Sequence, residues 1–209
     1  WYVRSTYYNG GHVFPCAITL GTALAIRPRK DRFIHLCSRN IPRAGIITVS
    51  LDDLAYSPLH GWANYPKGIL VTLAEMGYQA PHGFDLLYFG NLPNASGLSS
   101  SACIEVLTAY ALSELFGWKL DPVEIAKLSQ RSENRYNGVN CGIMDQFAIA
   151  MGRPSQAIFL DTGTLKYEYV PLELGDYRLL IMNTNKRRGL ADSKYNERRA
   201  ECEDALRSL

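Results

Sequence analysis

One stretch constrains this chain more than any other. A strand-like run, Phe84 to Phe89, leads through Leu92-Pro93-Asn94-Ala95-Ser96-Gly97-Leu98-Ser99-Ser100-Ser101-Ala102 into an apolar helix-like run from Cys103 to Phe116. A glycine and a set of small hydroxyl residues therefore stand where a loop becomes a helix. The first N–H groups of a helix lack intrahelical partners, and the dipole adds partial positive charge there. Small side chains let an anion approach those donors closely, so the place suits phosphate. A plain serine cap satisfies the same residues. The loop alone leaves both readings open.

The flanking sequence reads as alternating layers. Val13 to Leu20, Thr22 to Arg27, Phe33 to Cys37 and Ile46 to Leu51 have strand patterning. Trp62 to Met76 is helix-like, with Ile69, Leu70 and Leu73 on one face and Gly77 as its stop. The helix after the loop is apolar on most sides, which predicts burial between layers. Gly117 ends it, and Asp121-Pro122-Val123-Glu124 announces a helix reaching about Tyr136, with Glu133 in its last turn. Met144 to Met151 predicts a short helix. Ala157 to Leu160, Tyr167 to Val170 and Arg178 to Met182 are expected as strands, and Leu190 onward as a helix.

Composition narrows the partners. With 47% apolar and 20% charged residues and a net charge of +2, the chain resembles an ordinary soluble protein. No polyanion, nucleic acid or membrane surface is implied as a partner. Its five cysteines and four histidines are scattered, matching neither a disulfide framework nor paired zinc ligands. Free thiols in a reducing cytoplasm account for them most simply. Both ends read as cut, so a fragment of a longer protein is expected.

Three further places carry chemistry. Asp145 opens a short helix, where the dipole favours its ionised form, as a general base requires; an ordinary N-terminal aspartate fits as well. Glu133 falls at a helix C-terminus, where the dipole disfavours a carboxylate. Either a cation compensates it or it is a solvated surface residue. Asn183-Thr184-Asn185-Lys186-Arg187-Arg188 concentrates positive charge after a strand-like run. It suits phosphate or carboxylate recognition, or a solvated basic turn. Neither G-x-x-x-x-G-K-[ST] nor G-x-G-x-x-G is present, so any nucleotide depends on the Ser/Gly loop.

Taken together, these segments resemble a known family. Pro93 to Ala102 is similar to the second signature of the GHMP small-molecule kinases. Cys141-Gly142-Ile143-Met144-Asp145-Gln146-Phe147 resembles the run that marks galactokinases within that superfamily, and Tyr8-Asn9-Gly10-Gly11-His12-Val13-Phe14-Pro15 resembles the end of their N-terminal signature. Arg187, through Ala191-Asp192-Ser193, to Tyr195 and Arg198-Arg199 resembles a later stretch of the same family. The resemblance implies an α+β fold with a mixed sheet packed on helices, of the ribosomal protein S5 domain 2-like kind. Residues 1–175 would form the N-terminal domain, and 176–209 the truncated start of a second.

The implied activity is Mg-ATP-dependent phosphorylation of the anomeric hydroxyl of D-galactose by a cytoplasmic monomer. By the same resemblance Ala95, Ser96, Gly97, Leu98, Ser99, Ser100 and Ser101 would wrap the ATP phosphates. Ser101 and Glu133 would ligate Mg²⁺, Asp145 would take the sugar's proton, and Arg187 would steer Asp145. Gly142 and Tyr195 would contact the sugar.

One departure bears on the substrate. The family's Glu-His-Thr-Asp-Tyr-Asn is replaced by Arg4-Ser5-Thr6-Tyr7-Tyr8-Asn9, so three groups that grip galactose hydroxyls are missing. The family's transition-state arginine and glycine-rich third motif would lie outside the chain. The polypeptide is therefore expected to be poorly active or inactive. Another GHMP sugar kinase, for N-acetylgalactosamine or arabinose, and a non-catalytic galactokinase-like regulator are the alternatives. The intact Ser99-Ser100-Ser101-Ala102 favours enzyme ancestry over the regulator.

Overall fold

The computed structural model describes residues 10–93, 97–182 and 195–208. Two separate sheets form, each packed against helices. The larger has the order β2-β5-β3-β4, from β2 (Thr22–Pro28), β3 (Phe33–Ser38), β4 (Ile47–Ser50) and β5 (Phe84–Gly90). β2 runs antiparallel to β5 and β4 antiparallel to β3, whereas β3 and β5 are parallel. The parallel pair requires a crossover, which α1 (Asn64–Glu75) supplies between β4 and β5. The smaller sheet is antiparallel, with the order β1 (His12–Val13), β6 (Gln156–Asp161) and β7 (Tyr167–Pro171). A mixed sheet packed on helices is thus the observed α+β architecture.

The period of two along β5 explains which face is covered. Phe84, Leu86 and Tyr88 are buried against the helices, while Leu87 and Phe89 face outward. Ile34, Leu36 and Val49 continue that inner face, and Ile69, Leu73, Val106, Ala109, Leu112 and Leu128 meet it from the helices. A second, smaller core joins Val13, Ile158 and Leu160 to Ala126, Ile143 and Phe147.

α2 (Ser100–Phe116) lies in the middle of the helical layer, in contact with α1, α3 (Pro122–Arg135), α4 (Met144–Met151) and β2. Its apolar sequence matches this position. α1 and α3 approach closely at Gly68, where a Cβ would stand 2.5 Å from Ser132 Oγ. α5 (Tyr195–Arg207) follows at the end of the described chain.

Three expectations need correction. The strand expected over Val13 to Leu20 is reduced to His12–Val13 and a bridge from Cys16 to Ala157. Pro15, between the two, has no N–H to donate to a ladder. The helix expected from Trp62 begins as a 3-10 segment, Pro58–Ala63, interrupted at Gly61 (φ 48°, ψ −119°). Arg178 to Met182 forms no strand among the described residues. Its apolar side chains Leu179, Leu180 and Met182 are exposed and find no ladder partner there. No helix among the described residues is long and apolar enough to cross a membrane.

Candidate active site

The loop leaves β5 from a fixed root. Asn40 brackets Gly90: its Nδ2 donates to Gly90 O at 2.6 Å, and its Oδ1 accepts from Gly90 N at 2.7 Å. The next residue is held from the other side. Asn91 N donates to Gly21 O at 3.1 Å, and Gly21 N donates to Asn91 Oδ1 at 2.7 Å. Gly97 (φ 77°) and Ser99 (φ 57°) are left-handed, and Ser99 is the N-cap of α2. Left-handed backbone at a non-glycine residue is uncommon and clusters at ligand-binding turns. The Ser99 side chain makes no capping hydrogen bond, and the first turn of α2 carries no acidic residue. Ser99 is therefore not a capping serine, and among the described residues no side chain caps this helix end. Ala95 and Ser96 lie outside the described residues.

Two cavities meet at this helix end. The larger, about 670 Å³, is lined by Gly97, Leu98, Ser99, Cys103, Met144 and Asp145 among others. The smaller, about 240 Å³, is lined by Ser100 and Ser101 at one end and by the aromatic residues Trp62, Tyr65 and Tyr88. Asp145 stands in the first turn of α4, half-buried, and its charge reaches both Glu133 and the Cys103 thiol. Burial, helped by Asp145, pushes that thiol up to about 11.

Behind the loop is a buried acidic pair. Glu133, in the last turn of α3, is only 3% exposed, which overturns the solvated-surface reading. Packing of α2 and α4 over the end of α3 buries it. Its Oε2 accepts from Gln146 Nε2 at 2.7 Å, and the Cys141 thiol is 3.6 Å away. Burial pushes the Glu133 carboxyl above its usual range, and Asp145 adds to the rise. Hydrogen bonds from Ser101 and Glu105 oppose it by supporting the charged form. Glu105, fully buried on α2, is pushed well above the carboxylate range by burial first and then by the Glu133 charge. Two neighbouring buried carboxyls disfavour ionising together, and the rise is the greater at Glu105.

No Lys, Arg or His pairs with Glu133 among the described residues, and no group of three or more His, Cys, Asp or Glu gathers there as a metal site. The donor set is therefore the Glu133 carboxylate and the Ser101 hydroxyl, hard oxygens without a compensating cation. Such a pair fits a small divalent ion that keeps phosphate and water in its shell.

The structure thus brings Gly97, Leu98, Ser99, Ser100, Ser101, Glu133 and Asp145 together around one helix end. Gly142 is buried just before α4. Tyr195 opens α5, and its side chain lies outside the described residues, as do Arg4, Ser5, Thr6, Tyr7 and Arg187. Glu105 and Gln146 were not singled out from the sequence. The available signal was spacing: Ser101 and Glu105 are one turn apart on the same face of an otherwise apolar helix.

Two family models and a set of known proteins match this chain. The family "GHMP kinases N terminal domain" matches residues 64–153, and "Galactokinase galactose-binding signature" matches residues 5–28. A galactokinase from Levilactobacillus brevis is 57% identical over 98% of this chain and 53% of its own length. One from Clostridium beijerinckii is 53% identical over 98% and 52%. The chain therefore spans about half the length of the curated relatives it matches. The crystal structure of Lactococcus lactis galactokinase complexed with galactose superposes with a TM-score of 0.94 at 49% identity, covering 98% of this chain and 53% of that one. Methanococcus jannaschii mevalonate kinase, at 21% identity and a TM-score of 0.67 over 80% of this chain and 51% of its own, shares the fold. The chain is thus similar along nearly its whole length to about half of each of these galactokinases, and its residues 64–153 match the N-terminal domain of the GHMP kinases.

Proposed function

We propose that this chain supplies the nucleotide-binding half of a galactokinase, transferring a phosphoryl group from ATP to the anomeric hydroxyl of D-galactose. The observation that carries the reading is the uncapped N-terminus of α2, which opens onto the same cavity as Asp145. Its free amides and dipole would hold the terminal phosphates. The aromatic cavity between Trp62, Tyr65 and Tyr88 runs from that same turn and would take the nucleoside.

Asp145 would accept the proton of the sugar hydroxyl as its oxygen attacks the γ-phosphorus and ADP leaves. Ser101 and Glu133 would hold Mg²⁺, which would neutralise charge on the transferring phosphate. Gln146 and Glu105 hold the Glu133 carboxylate in place. Arg187 would orient Asp145, and Gly142 and Tyr195 would contact the sugar, as the family resemblance implies. Residues 1–175 and 176–209 would belong to separate domains of a monomeric enzyme.

The altered residues Arg4, Ser5 and Tyr7 favour one second reading, a related kinase acting on N-acetylgalactosamine or arabinose. Losing buried hydrogen-bonding partners in a sugar site reduces discrimination by about 10⁴–10⁵ in favourable cases. Phosphorylation assays of the full-length protein with the three sugars separate the readings. Turnover of galactose supports the first; turnover confined to another sugar rejects it.

A further inference from the structure

We infer that Asn196 and Arg199 of α5 are positioning residues that clamp the turn between Glu133 and Asp145. The inference rests on the kinase reading for its catalytic consequence, and on hydrogen bonding for the clamp itself.

After α3 the chain closes on its own last turn: Asn137 N donates to Ser132 O at 3.2 Å, and Val139 N to Glu133 O at 3.1 Å. Gly138 is left-handed (φ 74°), so the next peptides turn away from the helix. Three backbone groups then find their partners on α5. Asn196 Oδ1 accepts from Asn140 N at 2.9 Å, and Asn196 Nδ2 donates to Gly138 O at 2.9 Å. A single amide thus pairs with the turn on both sides, as a neighbouring strand would. Arg199 NH1 donates to Asn140 O at 2.8 Å, while its Nε is held by Glu203 Oε1 at 2.9 Å.

From the opposite side Gln130 Nε2 of α3 donates to Cys141 O at 3.1 Å. The turn is therefore gripped between α3 and α5, immediately before Gly142, Ile143 and the helix that carries Asp145. Cys141, the last residue of the turn, directs its thiol toward Glu133 and Asn134. Its neighbours make it a reporter for the clamp. Releasing the turn frees the start of α4 relative to the end of α3, so Asp145 loses its fixed distance from the phosphate site. Misplacement by about 1 Å costs on the order of 10²-fold in rate.

The test uses Asn196→Ala, Arg199→Ala and Arg199→Lys in the full-length protein, with Arg198→Ala as control because Arg198 pairs with Glu201 and not with the turn. Alkylation of each thiol by iodoacetamide is followed by mass spectrometry, with Cys37 on β3 as internal standard. Cys141 is expected to react about tenfold faster in both alanine variants, with partial return in Arg199→Lys, which keeps one donor. Steady-state kinetics are expected to show kcat lower by about tenfold or more with the KM for ATP unchanged. Unaltered Cys141 labelling overturns the clamp. Faster labelling with unaltered kcat overturns the positioning role. If no variant and no parent protein turns over sugar, the kinase reading fails, and the labelling still decides the clamp.

Discussion

α2 and α3 begin in opposite ways, although both are long helices in the same layer. α3 is sealed by its own sequence: Asp121 Oδ1 accepts from Val123 N at 2.8 Å, Pro122 removes a donor at the first position, and Glu124 places an acid in the first turn. α2 has none of these. Its N-cap is left-handed, its serine accepts nothing, and its first turn lacks an acid. Their other ends do not differ in this way. α2 finishes on left-handed Gly117, with Trp118 N donating to Ser113 O at 2.9 Å. The contrast is local to the end facing Asp145. A helix whose donors are satisfied gains stability, whereas one that leaves them open keeps them for a ligand.

The comparison is broken most severely by removing what faces the open end. Asp145→Asn is expected to lower kcat by about 10²–10⁴ while nucleotide binding persists. Near-normal turnover would eliminate Asp145 as the base. Giving α2 what α3 has is the next test. Ser100→Asp puts an acid in the first turn and should weaken ATP binding on the order of 10–100-fold through like-charge repulsion, with the fold intact. Calorimetric titration of ATP reads it, and unchanged affinity would mean that the phosphates bind elsewhere.

Glu105→Gln probes what the acidic surroundings of the open end cost the fold. Because the Glu105 pKa is raised in the folded state, that state keeps a proton which the unfolded chain releases above its ordinary carboxylate range. Wild-type stability therefore falls as pH rises through that window. The glutamine variant should melt higher than wild type at neutral pH, and the two curves should converge near about pH 4. A constant offset across pH would reject a raised Glu105 carboxyl. The smallest effect belongs to the sealed end. Asp121→Ala should cost about 1 kcal/mol, seen as a lower Tm, and leave ATP affinity alone.

What could be read in the sequence follows locality. Gly77, Gly117 and the Asp121-Pro122 pair mark helix ends because their backbone requirements are intrinsic, and the structure ends or starts helices there. The Ser/Gly loop and Asp145 were visible for the same reason, each sitting beside a helix terminus. Glu133 was ambiguous because its burial is created by α2 and α4, which lie elsewhere in the sequence. Glu105 was missed because its spacing one turn from Ser101 gains meaning only once Glu133, its neighbour across the layer, is known. Arg178 to Met182 has strand composition, but a strand needs a partner, and composition does not name one.

The bracketing of Gly90 by Asn40, and of Asn91 by Gly21, has a consequence for how this site can change over evolutionary time. The root is riveted to two neighbouring segments and the far end is fixed by a buried helix, so the loop has a set distance to span. Under the kinase reading, a change in its length would disturb the open helix end where the phosphates would bind.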